Sequence, residues 1–189
     1  MGNENKRDNA WPRTAVYTGF ALIAFAANSV LCRLALGEAT IDAASFTTIR
    51  LVSGSLVLLV LVRATGKTGA TDDSGSWTSA FMLFLYAVTF SFAYISLNTG
   101  TGALILFGSV QATMSIFAVV KGERLRLWGW LGLLVGLAGL TYLVSPGLAA
   151  PSPSGAALMA VAGISWGIYS VRGRGSRSPV AVTTDNFLR

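Results

Sequence analysis

The 189-residue chain is 53% hydrophobic and only 12% charged, with a mean hydropathy of +0.62, whereas a soluble domain carries about 25% charged residues. That composition excludes an ordinary soluble domain and places the chain in a membrane. A net charge of +6 with no His and one Cys excludes the usual metal-ligand clusters and any internal disulfide.

The apolar residues fall in six long blocks, about 14–36, 43–63, 77–98, 101–120, 126–145 and 154–172. Each approaches the roughly 20 residues that cross about 30 Å of hydrocarbon as a helix. The predicted fold class is all-α, a polytopic transmembrane helix bundle of about six spans. Little sequence remains for a soluble domain, and the longest linker, "RATGKTGATDDSGSW", is a Gly/Ser/Thr-rich surface loop by composition.

The first block follows a tail, residues 1–13, that contains Lys6, Arg7 and Arg13. Its apolar stretch exceeds that of a secretory signal and more spans follow, so it reads as an uncleaved first helix. Asn28 and Ser29 sit past its middle, and Cys32 is most simply a small packing residue.

In the second block, Arg50 lies seven residues in, about 10 Å deep at 1.5 Å per residue. A charge at that depth costs about 3 kcal/mol unless it snorkels to lipid phosphate or faces an aqueous cavity, and both readings stand. The "GKT" that follows lacks the earlier Gly of a phosphate-binding loop, because position 61 is Leu61.

In the third block Ser91, Tyr94 and Asn98 fall at i, i+3 and i+7, which predicts a polar helical face. The fourth has Gln111 near its centre, with Gly108 and Ser115 at helical spacing on either side. Such groups either hydrogen-bond between helices or share a cavity. In the fifth, Gly129, Gly132, Gly136 and Gly139 recur every three or four residues and predict a flat stripe for close helix packing.

No Asp or Glu lies within a block and nothing resembles a nucleophile with a base, so no catalytic set or cofactor motif is expected. Lys and Arg concentrate in the tail, in the loop after the second span (Arg63, Lys67), in the loop after the fourth (Lys121, Arg124, Arg126) and after the sixth (Arg172, Arg174, Arg177). The positive-inside rule then predicts a cytoplasmic N-terminus. The basic balance reflects topology, with attraction to anionic lipid, rather than nucleic acid.

Together, "TGTGALILFGSVQATMSIFAVV", the loop motif Gly122, Glu123, Arg124, Leu125, the Gly-rich fifth block and "GISWGIYSV" resemble the EamA-type permeases of the drug/metabolite transporter superfamily. The resemblance implies two homologous five-helix units in inverted orientation around a substrate cavity. Residues 14–145 would be the first unit and 154–189 the start of an incomplete second one. Aligned at an offset of 139, Arg33 pairs with Arg172 and Arg50 with Arg189. Trp166 and Gly167 then supply the family's Trp-Gly pair, where the first helix has Ala27 and Asn28. On that alignment "TTDNFLR", residues 183–189, is the mouth of a seventh helix, and the chain resembles the first six helices of a ten-helix transporter.

The resemblance implies a secondary transporter that moves a small metabolite or drug-like solute across the bacterial inner membrane by alternating access. Its cavity would be lined by Asn28, Arg50, Tyr94, Asn98, Gln111 and Trp166. The rival expectation is a non-transporting six-helix subunit that assembles through the fifth helix. A second copy or further helices are the expected means of completing the bundle.

Overall fold

The computed structural model describes residues 10–37, 41–66, 74–123, 127–144 and 151–189, with no strand among them. Among these residues seven helices follow in chain order: α1 Ala10–Gly37, α2 Ala43–Thr65, α3 Trp77–Ala93, α4 Thr99–Val120, α5 Leu127–Val144, α6 Pro153–Arg172 and α7 Pro179–Leu188. Each of the six predicted blocks holds one helix, the third only as far as Ala93. Thr14–Gly37, Ala43–Thr65, α4 and α6 are long and apolar enough to cross a membrane, and α3 is a shorter apolar helix.

Helix ends follow local chemistry. Asp42 caps α2 by accepting the backbone N–H groups of Ala44 and Ser45 at 3.0 and 2.9 Å, which have no intrahelical partner. Ser76 and Ser152 cap α3 and α6 through the N–H groups of Ser79 and Gly155. At the end of α4, Gly122 has φ of 82°. Its N–H meets the Val119 carbonyl while that of Glu123 meets Ala118, both at 2.9 Å. This is a Schellman stop, and the Gly of the loop motif is there because the left-handed conformation strains any other residue. Arg124 and Leu125 lie outside the described residues.

Two expectations are corrected here. Helix α3 ends at Ala93 with Tyr94 at its C-cap position, while Asn98 stands at the N-cap position of α4 without a side-chain capping bond. Asn98 therefore does not continue a helical face begun by Ser91 and Tyr94. The chain also begins a seventh helix at Pro179, four residues before "TTDNFLR", because Pro is pre-organised for a helix's first turn.

Helices α3 and α6 form the centre, with α4 packed along α6. The core comprises Leu83, Tyr86, Ala87, Phe90 and Tyr94 from α3 and its cap, Met159 and Ala162 from α6, Leu106 from α4 and Cys32 from α1. Close approach of α4 is possible because α6 lacks side chains where the two helices meet. A Cβ at Gly163 would lie 2.6 Å from the Leu106 carbonyl oxygen, and one at Gly167 2.8 Å from Thr113 Cβ. The predicted stripe on α5 behaves otherwise. Gly129, Gly132 and Gly136 are exposed, and a Cβ at Gly132 or Gly136 would meet nothing within 4 Å. Gly139 lies in the same helix. Among the described residues, the tight small-residue seam belongs to α6.

Helix α1 joins the bundle through Ser29, Cys32 and Leu36, while Val16, Tyr17, Phe20 and Ile23 are exposed. On α2, Val52, Leu56 and Val60 are likewise exposed. Apolar side chains facing outward suit a bilayer, which solvates them as a core would.

Candidate functional site

Aromatic side chains connect the helices through the interior. Tyr86, Phe90 and Tyr94 follow one another at i, i+4 and i+8, with ring centroids 5.3 and 4.9 Å apart. Trp166 lies 4.9 Å from Tyr86, 5.5 Å from Tyr169 and 6.2 Å from Phe25, distances at which rings attract beyond their buried area. Asn28 donates through Nδ2 to the Tyr86 hydroxyl at 3.5 Å, the long limit of a hydrogen bond.

Between α1, α3, α4 and α6 lies a cavity of about 10 Å³, lined by Phe25, Asn28, Ser29, Tyr86, Leu106, Phe107 and Trp166. That is about the room one water needs. The described side chains therefore nearly fill the space between these helices.

Arg50 points into the bundle from α2. Its Nη1 donates to Cys32 Sγ and to Ser91 Oγ, each at 3.3 Å. The guanidinium lies 5.2 Å from the Phe90 ring and 5.7 Å from the Phe46 ring, within range of cation–π attraction. All these partners are neutral. Ser91 Oγ also donates to the Ala87 carbonyl, so its lone pairs remain available to Arg50. The Arg50 charge is hydrogen-bonded but not neutralised by them.

Tyr94 is fully buried, and its hydroxyl oxygen has no hydrogen-bond partner among the described residues. Its ring occupies the space a side chain at Gly102 would need, because a Cβ there would fall 2.5 Å from Tyr94 Cε1.

The structure thus brings together Asn28 and Trp166 at one cavity, with Arg50 and Tyr94 beside it through Phe90. It does not bring Asn98 or Gln111 to them, since both are exposed. Sequence reasoning missed Tyr86, whose spacing with Phe90 and Tyr94 marks one helical stripe of rings. It also missed Arg33, which donates from Nη1 to the Tyr94 and Ile95 carbonyls at 2.8 and 3.1 Å. Outside the spans, Asp42 has its carboxyl held below the ordinary value of 3.8 by its hydrogen bonds with Ser45.

These features define an all-helical, multi-pass membrane bundle with an aromatic and polar interior. The chain is 49% identical over 177 residues to the uncharacterized protein PA1977 of Pseudomonas aeruginosa, covering 94% of this chain and 61% of that protein. An Archaeoglobus fulgidus protein named an uncharacterized transporter is 26% identical over 170 residues, covering 85% of this chain and 57% of that protein. The uncharacterized inner membrane transporter YedA of Escherichia coli K12 is 32% identical over 80 residues, 42% of this chain and 26% of YedA. The chain therefore spans about three fifths of the length of the first two relatives. No protein-family model and no solved structure matches it.

Proposed function

We propose that the chain belongs to an EamA-type permease of the drug/metabolite transporter superfamily, a secondary transporter of the bacterial inner membrane with a cytoplasmic N-terminus. Residues 14–145 form its first five-helix unit, and residues 154–189 open an inverted second unit. It moves a small polar or amphipathic solute by alternating access. Asn28, Tyr86 and Trp166 contact the solute's polar and flat faces, and Arg50 attracts a carboxylate or other anionic group. An inverted repeat around a central site suits such an exchange, because one unit rocks against the other.

The observation that carries this reading is the meeting of Asn28, Tyr86 and Trp166 around a cavity of about 10 Å³. The polar centre has no room for a solute while closed, so its use requires the opening that alternating access supplies. The naming of two relatives as transporters also supports it.

The test is reconstitution of the protein in liposomes, with uptake of anionic and neutral solutes measured. It is paired with labelling of single cysteines at positions 28 and 166 in a Cys32→Ala background by a membrane-impermeant thiol reagent. Solute movement, with labelling slowed by the transported solute, is expected. Labelling absent at both positions, with no solute moved, would overturn the reading.

A further inference from the structure

At the end of the bundle where α6 finishes and α3 and α7 begin, a much larger open pocket of about 410 Å³ is lined by Ser76, Ser79, Tyr169, Arg172, Arg174 and Thr183 among others. Among the described residues no Asp or Glu lines it. Arg172 donates from Nε to Ser79 Oγ and from Nη2 to Ser76 Oγ, both at 3.2 Å. These acceptors are neutral hydroxyls at the start of α3, where the helix dipole is itself positive. Such a position disfavours a cation and favours an anion beside it.

The Arg174 side chain is exposed and has no hydrogen-bond or ion-pair partner among the described residues. Gly175, at φ of 82°, turns the chain around the pocket towards Pro179, where a second helix N-terminus begins. The nearby carboxylate is engaged elsewhere, since Asp185 accepts from Gly75 and Arg189. Two guanidinium groups, several hydroxyls and two helix starts thus share one cavity whose lining, among the described residues, holds no counter-charge. Close by, Trp77 is 69% exposed on the outer surface, as in the aromatic belts that mark headgroup level.

We propose that this pocket binds a phosphate ester, the chemistry shared by the headgroup of an anionic phospholipid and a free phosphorylated solute. Arg172 holds the phosphate oxygens with its planar fork, a geometry that Lys cannot reproduce, and Arg174 adds charge from the rim. Basic pockets between helices at the membrane surface recognise anionic headgroups in this way. The site is separate from the Asn28–Trp166 cavity, so it stands whether or not the chain transports.

The test measures two ligands on the purified protein. Native mass spectrometry compares retention of phosphatidylglycerol with that of phosphatidylcholine, and thermal unfolding compares glycerol phosphate with chloride at equal ionic strength. Preferential retention of phosphatidylglycerol assigns the lipid source, and a shift with glycerol phosphate assigns the soluble one. In either case Arg174→Gln, which disturbs no packing, weakens binding roughly fivefold, and Arg172→Lys restores little of what Arg172→Gln loses. No preference for either ligand, or a preference unchanged in both Gln variants, overturns the proposal. Asp72 and Asp73 precede Ser74 in the sequence and lie outside the described residues. Binding seen only in D72N/D73N would also overturn it, since the pocket's charge would then be met from within the chain.

Discussion

Asn186 accepts the backbone N–H of Ser76 on its side-chain oxygen at 2.9 Å, across 110 residues of sequence. Beside it, Asp185 accepts the Gly75 N–H at 2.7 Å and the Arg189 guanidinium at 3.0 Å. The Arg189 guanidinium also lies 5.6 Å from the Trp77 ring. The "DN" of "TTDNFLR" therefore satisfies backbone donors that lead into α3, and α7 is held at the start of the central helix.

That docking leaves no space at Gly75, where a Cβ would fall 2.5 Å from Asn186 Oδ1 and 3.0 Å from the Asn186 backbone nitrogen. Gly75→Ala is expected to destabilise the fold by about 1–3 kcal/mol, and Asn186→Ala by about 1 kcal/mol through loss of the bond. Hydrogen exchange should show residues 179–188 losing protection before the core does. Equal protection in the variant and the parent would contradict the docking.

The seam between α4 and α6 makes an opposite pair of predictions for two glycines. At Gly163 a new Cβ meets the Leu106 carbonyl oxygen and Ser109 Cβ, both at 2.6 Å, and backbone cannot swing aside as a long side chain would. Gly163→Ala should lower stability by about 1–3 kcal/mol. Gly136→Ala meets nothing within 4 Å and should be neutral or stabilising by up to about 1 kcal/mol through helix propensity. Thermal unfolding in detergent compares the two.

Arg33 ties the end of α1 to the Tyr94 and Ile95 carbonyls just past the C-terminus of α3, where a cation is favoured by the dipole. Arg33→Ala is expected to cost about 1.5–3 kcal/mol, as charged hydrogen bonds do. Arg172 lies at the other end of α3, where the dipole opposes it, and Arg172→Ala should cost less. A larger loss for Arg172 than for Arg33 in the same unfolding assay would contradict the assignment.

Arg50 is expected to govern solute charge. Arg50→Gln should lower uptake of anionic solutes roughly tenfold, the scale of losing a charged hydrogen bond, while neutral solutes move as before. Arg50→Lys should rescue only in part, because the planar fork and its stacking on Phe90 are lost. Uptake in liposomes, unchanged for both solute classes in Arg50→Gln, would remove this role.

Asp42 sets a pH dependence at the start of α2. Its folded-state pKa lies below the ordinary 3.8, so the cap's contribution is fully present above that value and is lost as pH falls through the folded one. Protection of the amides in the first turn of α2, taken relative to their intrinsic exchange rate, should fall as the pH is lowered below 3.8. Asp42→Asn, which caps without titrating, should not show the fall.

Much of the helix layout was legible because hydropathy reports directly on crossing hydrocarbon. Six blocks of apolar residues became six helices, with ends shifted by zero to five residues. The shift mattered most at Tyr94, where termination at Ala93 turned an expected helical face into two cap positions. Helix stops depend on local capping and on packing from α1, whose Arg33 takes the Tyr94 and Ile95 carbonyls beyond α3, and periodicity carries neither.

The interior was harder to read. Arg50 stood out because a charge among apolar residues is costly wherever it sits, but the sequence left its direction open between lipid and cavity. The structure turns it inward onto Cys32, Ser91 and Phe90. Glycine spacing was present in both α5 and α6, and Gly163 and Gly167 have the four-residue separation of a packing motif. Which stripe is used depends on which helix lies opposite, a fact of tertiary neighbours. By itself the sequence determined an all-helical membrane chain, because composition and block length are sums over residues. Which polar groups meet, and which face outward as Asn98 and Gln111 do, was decided by the tertiary structure, because contact depends on how separate helices are placed and rotated against one another.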